Sequence, residues 1–214
     1  MNWLTRLLSN RADTATLDAA LRETLAHWQT LPRPELGKAH FETRYVVVNT
    51  EATGLSLDKD RLLAVGAIAL DGGVLSPRES YYAKLEPDPA TALTNLLTFA
   101  GAGPVVVFNA AFNRAMLERA MEEHLGMTPD WAWIDLYWLL PALYGELIDT
   151  PVRLADWMQA FDIETFQRHH ALGDAWAIAQ LMLAAQSRAL AQGLNSPRSL
   201  IDQERSRRHL RRHA

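Results

Sequence analysis

Residues 45–55 read Tyr45-Val46-Val47-Val48-Asn49-Thr50-Glu51-Ala52-Thr53-Gly54-Leu55, and the fold turns on them. Tyr45 and the three valines show no polar alternation, the pattern of a short strand buried on both faces. The apolar run then gives way to a polar stretch ending in Thr53-Gly54-Leu55, so a loop follows the strand. Side chains alternate along a strand, so Asn49 and Glu51 point to the same face.

Downstream, residues 61–70 (RLLAVGAIAL) predict a second strand, Asp71-Gly72-Gly73 a hairpin turn, and residues 80–85 (SYYAKL) a third strand. Short links make these three an antiparallel meander. The chain then alternates. A helix is expected over residues 90–100, a buried strand over 104–108 (PVVVF) and a helix over 111–125, where Phe112, Met116, Met121 and Leu125 share a face. Trp133-Ile134 is a short strand, followed by helices over 135–144 and 152–161. A long alanine-rich helix covers 171–190. A meander followed by βαβα is an α/β layout: a mixed sheet flanked by helices. Upstream, Leu17, Leu21, Leu25 and Trp28 recur at helical spacing until Pro32 and Pro34 stop the helix. Residues 1–42 thus read as a helical N-terminal arm, either packed on the domain or offered to a protein partner or second copy. Residues 43–194 form the main domain, and 195–214 a basic C-terminal helix or tail.

Composition narrows the function. The net charge is −4, which does not suit a general nucleic-acid sponge, yet six arginines fall within residues 198–214. That segment is either a solvated helical end or an arm lying near phosphates. There is no cysteine, which excludes disulfides, thiolate metal sites and cysteine nucleophiles and suits a reducing, cytoplasmic location. No apolar stretch approaches the roughly 20 residues that span a bilayer, and MNWLTRLLSNRADT lacks the apolar core of a signal peptide. The tryptophans, among them Trp131, Trp133, Trp138, Trp157 and Trp176, read as core and groove wall.

Two further polar segments join Asn49 and Glu51. Asn109-Ala110-Ala111-Phe112-Asn113 lies where a strand enters a helix, and His169-His170-Ala171-Leu172-Gly173-Asp174 opens the long helix. Taken in order, the three segments resemble the motifs of the DEDDh (DnaQ-like) 3′–5′ exonucleases, a family of the ribonuclease H-like superfamily. The family's Asp-x-Glu-Thr-Thr-Gly-Leu appears as Asn49, Glu51, Ala52, Thr53, Gly54 and Leu55. Its Asn-Ala-x-Phe-Asp appears as Asn109, Ala110, Phe112 and Asn113. Its His-x-Ala-x-x-Asp is intact as His169, Ala171 and Asp174. The likeness spans roughly residues 43–190. Asn49 and Asn113 replace aspartates, Ala52 replaces a threonine, and Phe108 stands where many members have histidine. The segment between Leu85 and Val105 is short and lacks the family's His-Gly element.

The resemblance implies removal of nucleotides from the 3′ end of single-stranded DNA, RNA or a short oligonucleotide, releasing nucleoside 5′-monophosphates. It implies two Mg²⁺ or Mn²⁺ ions, which hold and neutralise a phosphodiester in such enzymes. By resemblance Asn49, Glu51, Asn113 and Asp174 occupy the metal-ligand positions, and His169 that of the base for the attacking water. Thr53, Gly54, Leu55, Asn109 and Phe112 fall at substrate-binding positions; His170 reads as a bystander. Two asparagines reduce the site's charge from −4 to −2. At an effective dielectric of about 20, each lost charge removes roughly 8 kcal/mol of gross attraction to a divalent ion about 4 Å away. Impaired metal binding and turnover are therefore expected. Such near-isosteric differences suit a deliberate substitution that traps substrate, or a natural non-cleaving protein that binds nucleic acid or nucleotide, as a subunit of a larger complex for example.

Overall fold

The computed structural model describes residues 17–212; residues 1–16, most of the expected arm's first half, lie outside them. Strand β1 (Tyr45–Ala52) runs through the middle of a five-stranded sheet of order β3-β2-β1-β4-β5. β2 (Leu62–Asp71) and β3 (Val74–Lys84) complete the antiparallel meander, while β4 (Val105–Val107) and β5 (Trp133–Asp135) run parallel to β1. The sheet is mixed, as the order of elements predicts. The β2–β3 turn uses Gly72 and Gly73 at φ 57° and 75°, a backbone region that glycine enters without a Cβ penalty. β3 starts six residues before the expected Ser80 and carries Pro77. As an edge strand it tolerates a missing amide donor.

β1 is buried on both sides, which accounts for its unbroken apolar run. Tyr45 and Val47 enter one core and Val46 and Val48 the other. The second core is closed by α1 (Ala19–Gln29), α2 (Pro89–Ala100) and α3 (Ala110–Leu125). Leu25 of α1 is buried there, and Trp28 meets Trp131 edge to face, so the described part of the arm packs on the domain. The first core is closed by α4 (Leu136–Leu143), α5 (Leu154–Ala160), α6 (Ala171–Ala191) and α7 (Pro197–Arg212). Leu200 and Ile201 anchor α7 in that core, so the basic segment is a packed helix. Among the described residues, no helix is long and apolar enough to cross a membrane.

One contact sets the position of α6. A Cβ added to Gly66 would lie 2.3 Å from the backbone of both Ala171 and Leu172. Only glycine lets the first turn of α6 rest on β2 there. Gly66 is the cross-strand partner of Asn49, so this approach brings α6 to the end of β1 that bears the polar segment.

Candidate active site

On the α6 face of the sheet, Glu51, His169 and Asp174 lie close enough to interact, and Asn49 alternates to the same face of β1. Asn49 is partly buried. A Glu51 carboxylate oxygen accepts the backbone amide of Ala171, fastening the end of β1 to the start of α6. His169 is exposed, with φ 57°, a left-handed backbone uncommon outside glycine. Gly173 permits the tight loop before α6, since a Cβ there would fall 2.0 Å from the Gln167 carbonyl oxygen. His170 is no bystander: it is the N-cap residue of α6, its Nδ1 accepts the Gly173 amide at 3.4 Å, and its ring stacks on Tyr82.

Asp174 has a partner that the motif reading missed. Arg168 Nη1 donates to its Oδ1 at 2.6 Å, with the side chains 35% and 13% exposed. Burial pushes the Asp174 carboxyl above the usual carboxylate range. Arg168 is the strongest of the groups that draw it back down, followed by His169, while Glu51 pushes it up.

Asn113 lies on the opposite face. It is 6% exposed and sits on α3, against Thr50. Its Oδ1 accepts both the Thr50 amide and the Thr50 hydroxyl, and its Nδ2 donates to the Phe108 carbonyl at 2.8 Å. The Thr50 amide can only donate, which fixes the orientation of the Asn113 amide. Thr50 alternates with Asn49 and Glu51 along β1, so Asn113 serves the other face of the strand. An aspartate could keep the bonds from Thr50 but not the one to Phe108, because a carboxylate has no N–H.

The remaining expected residues divide similarly. Thr53 donates to Asp60 Oδ1 at 2.7 Å, and the Ser56 amide donates to Asp60 Oδ2 at 2.7 Å. These bonds hold the Asp60 carboxyl below its ordinary range, the Thr53 hydroxyl contributing most. Gly54 lies under that carboxylate, where a Cβ would approach Oδ2 to 2.6 Å. Leu55 projects from the loop at 87% exposure. Asn109, exposed and left-handed at φ 67°, begins α3 without a side-chain cap. Its amide and that of Ala110 donate to the two oxygens of buried Asp135, both at 2.9 Å. Phe112 is partly buried against the α3-face core. Asp60, Arg168 and Thr50 carried no motif signal; each acts through a contact that only the folded chain creates.

The side chains do not fit a two-ion ligand set. Asn113 is committed to Thr50 and Phe108, while one oxygen of Asp174 is paired with Arg168 and one oxygen of Glu51 accepts the Ala171 amide. Among the described residues, no group of three or more histidine, aspartate or glutamate side chains could hold a metal ion.

This mixed sheet, flanked by seven α-helices among the described residues, is an α/β fold that resembles the ribonuclease H-like fold of solved nucleases. Neither a protein-family model nor a curated protein matches the sequence, but solved structures match the fold. One is E. coli exonuclease I in complex with a dA16 oligonucleotide, at TM-score 0.53 and 18% identity over 75% of this chain and 42% of that one. Another is cell-death related nuclease 4, at TM-score 0.57 and 12% identity over 71% and 64%. A third is the nuclease domain of 3′hExo, a DEDDh family member bound to rAMP, at TM-score 0.51 and 13% identity over 74% and 97%. The chain thus spans less than half of the exonuclease I chain. At such identities the likeness establishes the fold alone.

Proposed function

We propose that this chain holds the 3′ end of single-stranded DNA or RNA, or a short oligonucleotide, without hydrolysing it. The observation that carries this reading is the Asn113 amide, whose oxygen is committed to Thr50 on the face away from Glu51 and Asp174 and whose nitrogen is committed to the Phe108 carbonyl. A residue so placed is a structural clamp between α3 and β1. Arg168 strengthens the case, because its guanidinium supplies Asp174 with the positive charge that a metal ion would otherwise bring. Support for binding comes from the Asp60-braced loop at Thr53, Gly54 and Leu55, and from the likeness of fold to nucleases. The competing reading, a metal-dependent exonuclease releasing nucleoside 5′-monophosphates, rests on the retained Glu51, His169 and Asp174.

The two readings part in one experiment. Purified chain is mixed with labelled single-stranded DNA, RNA and dinucleotides, with Mg²⁺, with Mn²⁺ or with EDTA. The expected result is retention of intact strand, equally in all three conditions. Release of nucleoside 5′-monophosphates that needs the ion and disappears in His169→Ala would establish the exonuclease instead.

A further inference from the structure

A cavity of about 890 Å³ opens between the start of α3, β5 and α7. That volume is within the roughly 300–1,000 Å³ of small-molecule sites. None of Asn49, Glu51, Asn113, His169 or Asp174 lines it. What does line it is a helical stripe of α7 with Arg198, Arg205 and Arg208, faced by Arg114 of α3 and the indoles of Trp133 and Trp138.

The charges there are unequal. Six arginines and four acidic residues contribute to the lining. Three of the acids are engaged within the protein. Asp135 accepts the amides of Asn109, Ala110 and Tyr137; Glu204 accepts the Asp135 amide and pairs with Arg208; Asp130 pairs with Arg33 at 3.5 Å. The exposed Arg198 and Arg205 form no salt bridge among the described residues, although Arg205 lies near enough to Glu204 to draw its carboxyl down. The indoles are already read by cations: Arg114 lies 5.6 Å from the Trp133 ring centroid and Arg208 6.0 Å from that of Trp138.

Guanidinium forks select phosphate, and flat aromatic faces beside them select a planar ring. An acidic peptide would use the arginines but bring no ring to the indoles. We propose that this cavity is a nucleotide site, taking a nucleoside 5′-phosphate, free or as one unit of a single strand, with its base against Trp133 and Trp138 and its phosphate at Arg198 and Arg205. The site does not depend on the reading of the β1–α6 cleft.

The test uses the full chain, with adenosine 5′-monophosphate, adenosine and inorganic phosphate titrated by calorimetry and by tryptophan fluorescence. The monophosphate is expected to bind at least about ten-fold more tightly than either of the others. The double charge reversal Arg198→Glu with Arg205→Glu is expected to weaken it by about ten-fold or more, and Trp138→Leu to weaken it and reduce the fluorescence change. Both arginines are exposed, so the reversal leaves the fold intact, which circular dichroism checks. Leu55→Ser, in the cleft loop, is expected to leave monophosphate binding unchanged. Competition by an oligonucleotide identifies a strand as the source of the ligand; its absence identifies a free nucleotide. The proposal is overturned if the charge reversal binds the monophosphate like the wild type, or if inorganic phosphate or polyglutamate competes equally well. It is also overturned if no monophosphate binding is seen. Oligonucleotide binding that is lost in Leu55→Ser while monophosphate binding persists would locate the two sites separately.

Discussion

Tyr82 on the edge strand and His170 at the start of α6 stack with ring centroids 4.5 Å apart and planes 26° from parallel. The same imidazole accepts the Gly173 amide at the open end of the helix. One side chain thus ties β3, across two strands from β4, to the turn that presents His169 and Asp174. His170→Ala removes both the stack and the cap. The expected loss is about 1–2 kcal/mol of unfolding free energy, read by urea denaturation. A loss of a few tenths or less would mean that the stack contributes no net stability.

Asn113→Asp tests the clamp. The variant keeps both bonds from Thr50 but places a carboxylate oxygen against the Phe108 carbonyl in a buried site. A loss of at least about 1–3 kcal/mol is expected, since a buried polar group is left without its partner. The double variant Asn49→Asp with Asn113→Asp is therefore expected to restore no nuclease activity, despite restoring the motif. Brisk Mg²⁺-dependent cleavage by that double variant would show that the carboxylate escapes the Thr50 face.

Arg168→Ala removes the cation from Asp174. Because the pair is partly exposed, the stability change is expected to be small, about 1 kcal/mol or less. The informative readout is metal. Mn²⁺ is expected to raise the melting temperature of the variant and leave that of the wild type unchanged, because Asp174 is then free of its internal counter-ion. Equal Mn²⁺ responses in the two proteins would mean that Arg168 does not stand in for a metal.

The buried carboxyls give a pH signature. Burial raises Asp174, Asp135 and Glu204 above the usual range. A group whose folded pKa exceeds its unfolded value binds its proton more tightly when folded, so its contribution to stability falls as pH rises through the interval between the two values. Asp174→Asn removes one such group. Its stability relative to wild type is expected to increase as pH rises above about 4, the ordinary carboxylate value, measured by denaturant melts at stepped pH. A relative decrease would show that the Arg168 pair outweighs burial.

The sheet was legible because its signals are local. Val46 to Val48 announce a doubly buried strand, and Gly72-Gly73 a two-residue turn. The early part of β3 was not, because Ser76, Pro77, Arg78 and Glu79 have neither alternation nor β-branched character, and an edge strand needs neither. In the site, Glu51, His169 and Asp174 were legible as a motif, and the structure gathers them. The role of Asn113 was not. Motif spacing says which helix carries a residue but not which side of β1 it addresses; here the intervening Thr50 captures it. Arg168 was invisible for a related reason. A cation immediately before the motif histidine reads as a solvated loop residue until the left-handed turn at His169 swings it onto Asp174.

The Arg168–Asp174 pair also bears on how many changes would rebuild a metal site. A full two-ion set would require a carboxylate at position 49, another at position 113 freed from Thr50, and the departure of Arg168. Each step alone is expected to bring no catalysis, and the second alone to weaken the fold. Under the binding reading proposed above, no single one of these substitutions is expected to yield a nuclease, because the contacts that oppose a metal set are independent of one another.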